Sequence, residues 1–239
     1  MRYKQTIIGL LWAVIRPLLT MIVFTIVFGK VAGMKSEGTA PYALMVFAGL
    51  LPWQFFSTAF SNASESLISN SSLLSKVYFP RLIVPMSAII TSFVDFLISF
   101  IILLLLMVYY QFVPNWQIIF LPLFIFLAFL PAISFGLYLA ALNVKFRDFK
   151  YVVPFIVQIG LYISPIGFSS AVIPEKWKAI YYLNPMVSVI DGFRWCIIGD
   201  GAAYPFNYYF VLATGVSVVM LVYAIYKFRK MEKTFADLI

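Results

Sequence analysis

The sequence contains no histidine and only one cysteine, Cys196. The absence of histidine excludes histidine bases, histidine metal ligands and histidine proton relays. A single cysteine excludes an intrachain disulfide and a cysteine metal cluster. Charged residues are also scarce, at 11% of the chain, whereas hydrophobic residues make up 63%, which is unlike a soluble domain. A G-x-x-x-x-G-K phosphate-binding loop is absent too, because Phe24 stands where the leading glycine before Gly29 and Lys30 would be. The chain therefore does not bind ATP in that way.

Long apolar runs fill most of the chain. A transmembrane helix needs about 20 apolar residues to cross roughly 30 Å of hydrocarbon, and six runs approach or exceed that length. They are Ile7–Phe28, Tyr42–Phe60, Leu82–Tyr110, Ile118–Leu142, Val152–Phe168 and Phe206–Phe228. They are longer than barrel strands of about 10 residues and do not alternate as such strands do. We therefore predict an all-α integral membrane protein with about six transmembrane helices, in which residues 1–239 form a single domain.

The distribution of Lys and Arg predicts the orientation, because cytoplasmic loops carry an excess of both. With the N-terminus in the cytoplasm, six spans return the C-terminus to the same side. The cytoplasmic side then holds Arg2, Lys4, Lys76, Arg81, Lys145, Arg147, Lys150, Lys227, Arg229, Lys230 and Lys233. The outer side holds only Lys30, Lys35, Lys176, Lys178 and Arg194. The opposite orientation would place the basic loops and the basic tail on the wrong face. Contact with anionic lipid headgroups explains the excess of positive charge, so no nucleic-acid partner is expected.

A polar segment, residues 62–81, interrupts the apolar chain with the sequence NASESLISNSSLLSKVYFPR. It is too short for a domain and too rich in Ser and Asn to lie in lipid. Apolar residues recur within it, at Leu67, Leu73, Leu74, Val77 and Phe79. This pattern favours a short amphipathic helix at the cytoplasmic membrane face that docks on a partner, and a solvated loop is the alternative.

A second segment, between the fifth and sixth runs, predicts two short helices. Pro174 and Glu175 are typical of a helix start, and Asn184 followed by Pro185 is typical of a cap and first turn. One apolar face of the second helix would hold Met186, Val189, Ile190, Phe193 and Ile197. Both helices are too short to cross a bilayer, so we expect them to lie at or dip into the outer leaflet. Aromatic residues at headgroup depth would be Trp177, Tyr181, Tyr182 and Trp195. Either an anchoring belt or a gate would fit this arrangement.

Two charges lie inside the apolar runs. Arg16 costs roughly 2.5–3.5 kcal/mol there on insertion scales, so we expect it either to snorkel to the headgroups or to meet an anionic substrate. Asp95 favours a hydrogen bond between helices, with an ion or proton relay as the alternative. Phe155 and Tyr162, two turns apart, are candidates for a substrate path, because aromatic rings can pack on the apolar C–H faces of sugars.

Four stretches of the sequence resemble one family, in order and at similar spacing from Arg2 to about Met231. They are RYKQTIIGLLWAVIRPLLTM, FAGLLPWQFFSTAFSNASESLISNSSLLSKVYFPRLIVP, ALNVKFRDFKYVVPF and LNPMVSVIDGFRWCIIG. Each is similar to the membrane subunit of ABC type-2 exporters of O-antigen, capsular polysaccharide or teichoic acid. The resemblance implies a homodimer of six-span permeases in the bacterial cytoplasmic membrane, paired with two copies of a separate ATP-binding subunit. ATP and Mg would be bound by that subunit, so this chain would be a transport subunit and not an enzyme.

The resemblance also assigns roles to residues. It implies a coupling helix that contacts the ATPase through Leu73, Leu74, Lys76, Val77, Tyr78, Phe79 and Arg81. It implies outer gate helices that include Trp177, Tyr181, Asn184, Pro185 and Arg194. Arg2 and Lys4 are candidates for binding the pyrophosphate of a carrier lipid, with headgroup attraction as the alternative. Family members usually carry an amphipathic helix before the RYKQT motif, and we expect it to be either truncated or absent in this chain.

Three other functions fit less of the sequence. A drug or lipid efflux permease of the same type would be distinguished by a large extracytoplasmic domain or a fused ATPase. A membrane-embedded glycan or lipid transferase would need a cluster of acidic residues or a metal site near a membrane face, and the acidic residues here are scattered. A channel or a scaffold is the third alternative.

Overall fold

The computed structural model describes residues 7–74, 79–146, 148–232 and 235, and within these ranges the chain is helical and has no strands. The α-helices are α1 Ile7–Phe24, α2 Tyr42–Ser69, α3 Ser71–Leu74, α4 Ile83–Tyr109, α5 Leu121–Lys145, α6 Phe149–Ile163, α7 Glu175–Tyr181, α8 Pro185–Ile198 and α9 Tyr208–Glu232. A π-helical turn, Thr25–Val31, extends α1, and 3₁₀ turns lie at Trp116–Phe120 and Ser170–Val172. Arg2, Lys4, Lys76, Val77, Tyr78 and Arg147 lie outside the described residues.

Within the described residues, five helical segments are long and apolar enough to cross a membrane: Val14–Val31, Tyr42–Ser69, Ile83–Tyr109, Trp116–Lys145 and Tyr208–Glu232. The all-α membrane fold is thereby confirmed. The run Val152–Phe168 forms the shorter helix α6, whose 15 residues rise about 22 Å. Ser164 ends α6 in an extended conformation, because the following residue is Pro165. Of the six predicted spans, five reach spanning length within the described chain.

The central element of the fold is α2, which packs against α1, α4, α5, α6 and α8. Its side chains are buried along most of its length, and aromatic rings fill the core around it. Phe55 packs against Phe93, Phe96 and Phe129 with centroid distances between 4.7 and 5.8 Å. The interior of the bundle is therefore packed with aromatic and aliphatic side chains.

The polar segment 62–81 is not one separate helix, which corrects the sequence prediction. Its first eight residues form the last two turns of α2, and only Ser71–Leu74 forms a further helical turn. Ser64 and Ser66 are buried, and their hydroxyls donate to the carbonyls of Ser61 and Ala63 at 2.8 and 2.7 Å. Because these hydroxyls bond within their own helix, polar residues that suggest a loop in the sequence are compatible with a packed helix end.

Helix α8 corrects a second expectation. All 14 of its residues are buried, and it packs against α2, α5 and α9. The prediction that this helix is amphipathic and lies exposed at the membrane surface is therefore wrong for α8, because its polar side chains, Ser188, Asp191 and Arg194, face protein. That α8 dips into the outer leaflet stays a prediction. Trp195 is only 4% exposed, so its ring belongs to the core and not to a headgroup belt.

Candidate functional site

A cavity of about 410 Å³ opens between α1, α2, α4 and α6. Arg16 and Asp95 both line it, so the two charges inside the apolar runs face the same space. Trp53, Phe55 and Phe96 contribute aromatic surface. Uncharged polar groups come from Thr20, Gln54, Ser57, Thr58, Ser92 and Ser99. The cavity thus has a mixed lining, in which polar and charged groups lie among apolar and aromatic side chains.

Three hydroxyl groups of the cavity lining donate to carbonyls of their own helices. Thr20 donates to the carbonyl of Arg16 at 2.9 Å, and Ser99 donates to that of Asp95 at 3.1 Å. Ser57 donates in the same way to the carbonyl of Gln54 at 3.1 Å. Each hydroxyl has thereby used its single proton, and its oxygen keeps lone pairs that can accept hydrogen bonds. The cavity consequently offers acceptors to a ligand rich in hydroxyl groups and a guanidinium cation to an anionic group.

The predicted substrate-path residues do not all meet at this cavity. Arg16 does line it, whereas Phe155 and Tyr162 do not, although both lie on α6. Their rings are 63% and 59% exposed, and Tyr162 stacks against Phe24 with 6.5 Å between ring centroids. The α6 residues that line the cavity are Val157 and Leu161.

Sequence reasoning missed the polar residues of the cavity, although a signal was present. On α2, Gln54, Ser57 and Thr58 have the i, i+3, i+4 spacing of one helix face. On α4, Ser92 and Asp95 follow the same rule. Polar residues that share one face of an apolar helix indicate a cavity or a helix interface and not contact with lipid.

Arg194 is the centre of a second site, at the end of α2 that begins with Tyr42. Its side chain is fully buried, and its guanidinium donates to the carbonyls of Ile166 at 2.7 Å, Phe168 at 2.8 Å and Met45 at 3.3 Å. The carboxylate of Glu37 lies 3.8 Å away and is also buried. One side chain therefore connects α8 to α2, to the loop that follows α6 and to the loop between α1 and α2. Arg194 was placed at the outer gate from the resemblance, but nothing in the sequence pattern indicated its burial or its partners.

Asp191 lies one turn before Arg194 and is buried as well. The hydroxyl of Tyr182 donates to its carboxylate at 2.7 Å, and the same hydroxyl lies 3.4 Å from that of Ser170. Helix α8 is outside the five spanning segments, and burial there raises the pKa of Asp191 to about 6. Arg194 opposes this increase, because a nearby cation favours the carboxylate form.

The other predicted gate residues lie around α7 and the start of α8. Asn184 caps α8 as predicted, because its side-chain oxygen accepts from the backbone N–H of Met186 at 3.1 Å, and Pro185 occupies the first turn. Tyr181 donates to the carbonyl of Ile163 at 2.9 Å. Trp177 is 53% exposed. On the same helix, a hydrogen bond from Lys178 lowers the pKa of Glu175.

The predicted coupling residues are only partly described. Leu73 and Leu74 belong to the single turn α3, and the next four residues lie outside the described ranges. Phe79 packs beside a small buried cluster that includes Leu67 of α2. The guanidinium of Arg81 donates to the backbone carbonyl of Glu232 at 2.7 Å. The end of the polar segment therefore contacts the end of α9.

Comparison with known proteins identifies the family. The sequence model of the ABC-2 type transporter family matches residues 1–198. An O-antigen export system permease protein RfbA of Klebsiella pneumoniae is 28% identical over 243 residues, covering all of this chain and 90% of that protein. An RfbA of Myxococcus xanthus is 28% identical over 195 residues, covering 81% of this chain and 74% of its own length. The inner membrane transport permease YadH of Escherichia coli K12 is 25% identical over 192 residues, covering 77% of this chain and 74% of YadH. The chain belongs to the ABC-2 type transporter family.

Proposed function

We propose that this chain is the permease subunit of an ABC exporter that moves a lipid-linked polysaccharide, such as O-antigen, capsular polysaccharide or teichoic acid, across the bacterial cytoplasmic membrane. The observation that carries the proposal is the family match over residues 1–198, together with relatives named O-antigen export permeases that align along the whole chain. Two copies of the chain work with two copies of a separate subunit that binds ATP and Mg. The chain itself transports and performs no covalent chemistry.

The chemistry of the cavity supports a glycan substrate with an anionic group. Sugar hydroxyls are hydrogen-bond donors, and the hydroxyl oxygens of the lining keep free lone pairs that can accept them. The ring of Trp53 can pack on the C–H face of a sugar. Arg16 adds a fixed positive charge that matches the phosphate of a lipid carrier. The substrate of a drug efflux permease would carry fewer hydroxyl groups to donate to this set of acceptors.

The ends of the bundle support the proposed orientation. Arg194 bonds to Met45 near one end of α2, and the last two turns at the other end, up to Ser69, belong to the polar segment. From Met45 to Ser69 the helix rises about 36 Å, which exceeds the roughly 30 Å thickness of the hydrocarbon. The contact of Arg81 with Glu232 puts the polar segment and the end of α9 on the same side. This arrangement agrees with a cytoplasmic coupling segment, a cytoplasmic C-terminus and an outer gate.

The first experiment is affinity purification of the tagged chain in mild detergent, with its partners identified by mass spectrometry. A stoichiometric soluble ATPase is the expected result, and Leu74→Asp should lose it if the coupling contact is correct. A chain that purifies alone, and from which no ATPase can be captured by crosslinking, would overturn the proposal.

The second experiment tests the cavity in the same complex. Arg16→Ala should lower export by about tenfold, because a charge-assisted hydrogen bond to the substrate is lost, while the ATPase stays bound. Arg16→Lys should retain part of the activity. The matched control is Arg229→Ala, which removes an exposed arginine of α9 far from the cavity. Normal export by Arg16→Ala, with normal amounts of complex, would exclude Arg16 from the substrate path.

A further inference from the structure

We propose that a C-terminal latch, formed by Arg81, Glu232 and Phe235, fixes the position of the coupling segment, residues 71–81, and is required to convert ATP hydrolysis into export. The inference rests on the proposed function, because it needs an ATPase that acts on the coupling segment. It adds the end of α9 to that machinery. The resemblance implied no role for this end of the chain.

The first observation is a reciprocal pair of hydrogen bonds between two helix ends. The guanidinium of Arg81 donates to the backbone carbonyl of Glu232 at 2.7 Å, where α9 ends. The backbone N–H of Arg81 donates to the carboxylate of Glu232 at 3.3 Å, two residues before α4 begins. The last carbonyls of a helix have no partner within that helix, so the guanidinium of Arg81 supplies one to α9. In return, the carboxylate of Glu232 accepts from the backbone N–H of Arg81, just before α4.

The two helix ends also offer partial charges to these side chains. The backbone dipoles make the C-terminus of a helix partly negative and the N-terminus partly positive. The guanidinium of Arg81 reaches the last carbonyl of α9, and the carboxylate of Glu232 reaches the backbone N–H of Arg81 just before α4. Each charged group thereby meets a backbone group of opposite partial charge.

The second observation is the packing of Phe235 beyond the end of α9. Its ring is fully buried, meets Phe228 edge-on at 5.7 Å and lies 5.8 Å from the guanidinium carbon of Arg81. The surrounding cluster joins α2, α4, α5 and α9 through Leu67, Val84, Leu137, Ala140, Ala141, Val144, Ala224 and Phe228, with Phe79 and Leu82 packed beside it. A buried aromatic ring is a strong anchor for the chain that carries it.

These contacts restrain both ends of the coupling segment. Its first residue, Ser71, is separated from α2 by Asn70, which holds the junction by donating its backbone N–H and side-chain amide to the carbonyl of Ser66 at 3.2 and 2.7 Å. Its last residue, Arg81, is held by the latch, and Phe79 packs beside the buried cluster. A displacement of the segment is therefore transmitted to α2, α4 and α9 together. Loss of the latch removes the bonds to α9, so that less of the motion reaches this helix.

The test compares variants of the latch in cells that carry the chain as their sole copy. The export ratio is the amount of native surface polysaccharide on intact cells, measured by antiserum binding, divided by the ATPase activity of the complex purified from the same cells. Glu232→Leu removes the carboxylate and should lower the export ratio by about tenfold, whereas Glu232→Gln keeps an acceptor and should restore most of it. Arg81→Met removes the bond to the backbone carbonyl of residue 232, which Glu232→Leu leaves in place, so it should lower the export ratio at least as much. Arg229→Met is the matched control, since this exposed residue lies in the last turn of α9.

The outcomes separate the latch from the proposed function. A role in folding alone lowers the amount of complex and leaves export per ATP hydrolysed unchanged, and that result would overturn the latch. A normal export ratio in both Glu232→Leu and Arg81→Met would also overturn it. If the Arg81→Met protein does not accumulate in the cells, the comparison of Glu232→Leu with Glu232→Gln decides whether the latch is required. Failure of the unaltered chain to bind an ATPase would instead reject the proposed function before any variant is compared.

Discussion

Arg194→Met is the substitution for which the structure gives the clearest expected cost. Methionine keeps an unbranched side chain but removes every donor, so the carbonyls of Met45, Ile166 and Phe168 lose the hydrogen bonds that join α8 to the rest of the fold. It also leaves the buried carboxylate of Glu37 without its cation. Breaking a buried ion pair by removing one partner typically costs about 3–5 kcal/mol.

The distance between the two charges supports this magnitude. At the observed 3.8 Å between Arg194 and Glu37, the Coulomb attraction is about 4 kcal/mol for an effective dielectric constant of about 20. For a chain of this length, a loss of about 3–5 kcal/mol corresponds to roughly 6–20 °C in the melting midpoint. We therefore expect Arg194→Met to melt well below the unaltered protein.

The assay is heating in detergent, followed by size-exclusion chromatography of the protein that remains monodisperse. A double-mutant cycle with Glu37→Gln separates the ion pair from the carbonyl bonds. The double variant should be less destabilised than the sum of the single variants by about 1 kcal/mol or more, because Gln leaves no unpaired charge. Lys178→Met is the control: it breaks the exposed ion pair with Glu175, and surface pairs contribute little because water screens them. Strict additivity would refute the ion pair between Arg194 and Glu37. A midpoint shift below about 3 °C for Arg194→Met would refute the role of Arg194 in joining these segments.

Two further substitutions test the packing and the ionisation of α8. A Cβ atom at Gly192 would lie 1.9 Å from a ring carbon of Phe124, so Gly192→Ala should cost about 1–3 kcal/mol by overpacking and lower the melting midpoint. In the control, Gly215→Ala on α9, the added Cβ meets nothing within 4 Å and the midpoint should not fall. Equal midpoints for the two variants would contradict this packing. Because burial raises the pKa of Asp191 from 3.8 to about 6, its ionisation costs stability as pH rises through that window. Asp191→Asn should therefore raise the melting midpoint at pH 7.5, and this gain should shrink as pH falls from 6 toward 4. A gain that does not vary with pH would contradict the assigned pKa. Asp148→Asn, at an exposed position, is the control.

The spanning helices could be predicted from the sequence because contact with lipid demands a long apolar run wherever the chain crosses. The start of α8 was equally readable, since Asn184 and Pro185 act through neighbouring residues. The end of α2 was not readable in this way. The residues after Phe60 favour a separate short helix, with a loop as the alternative, and do not indicate that α2 continues to Ser69. The hydrogen bonds of Ser64 and Ser66 to nearby carbonyls fit these polar side chains to a packed helix end.

The candidate sites depend more on contacts between distant residues. From the sequence alone, Arg194 would be assigned to the surface. Its acceptor at Met45 is 149 residues away and is a backbone carbonyl, which no side-chain pattern can indicate. The latch has the same character, since Arg81 and Glu232 are 151 residues apart. The polar residues of the cavity were accessible in principle, because Gln54, Ser57 and Thr58 share a helix face, but only the fold shows that Arg16 and Asp95 face the same space.

Helix α2 explains how these separate features can belong to one machine. It accepts the bond from Arg194 at Met45, lines the cavity through Trp53 and its neighbours, and reaches the buried cluster of the latch at Leu67. From Met45 to Leu67 the helix rises about 33 Å. Pro52 lies between the two ends and beside the cavity, and a proline inside a helix removes one backbone hydrogen bond and favours a bend there. The Met45 end of α2 is held by the bond from Arg194, and the Leu67 end by packing. We therefore expect a displacement at the coupling segment either to bend the helix near Pro52 or to strain the bonds of Arg194. In both cases the force reaches a candidate site for transport.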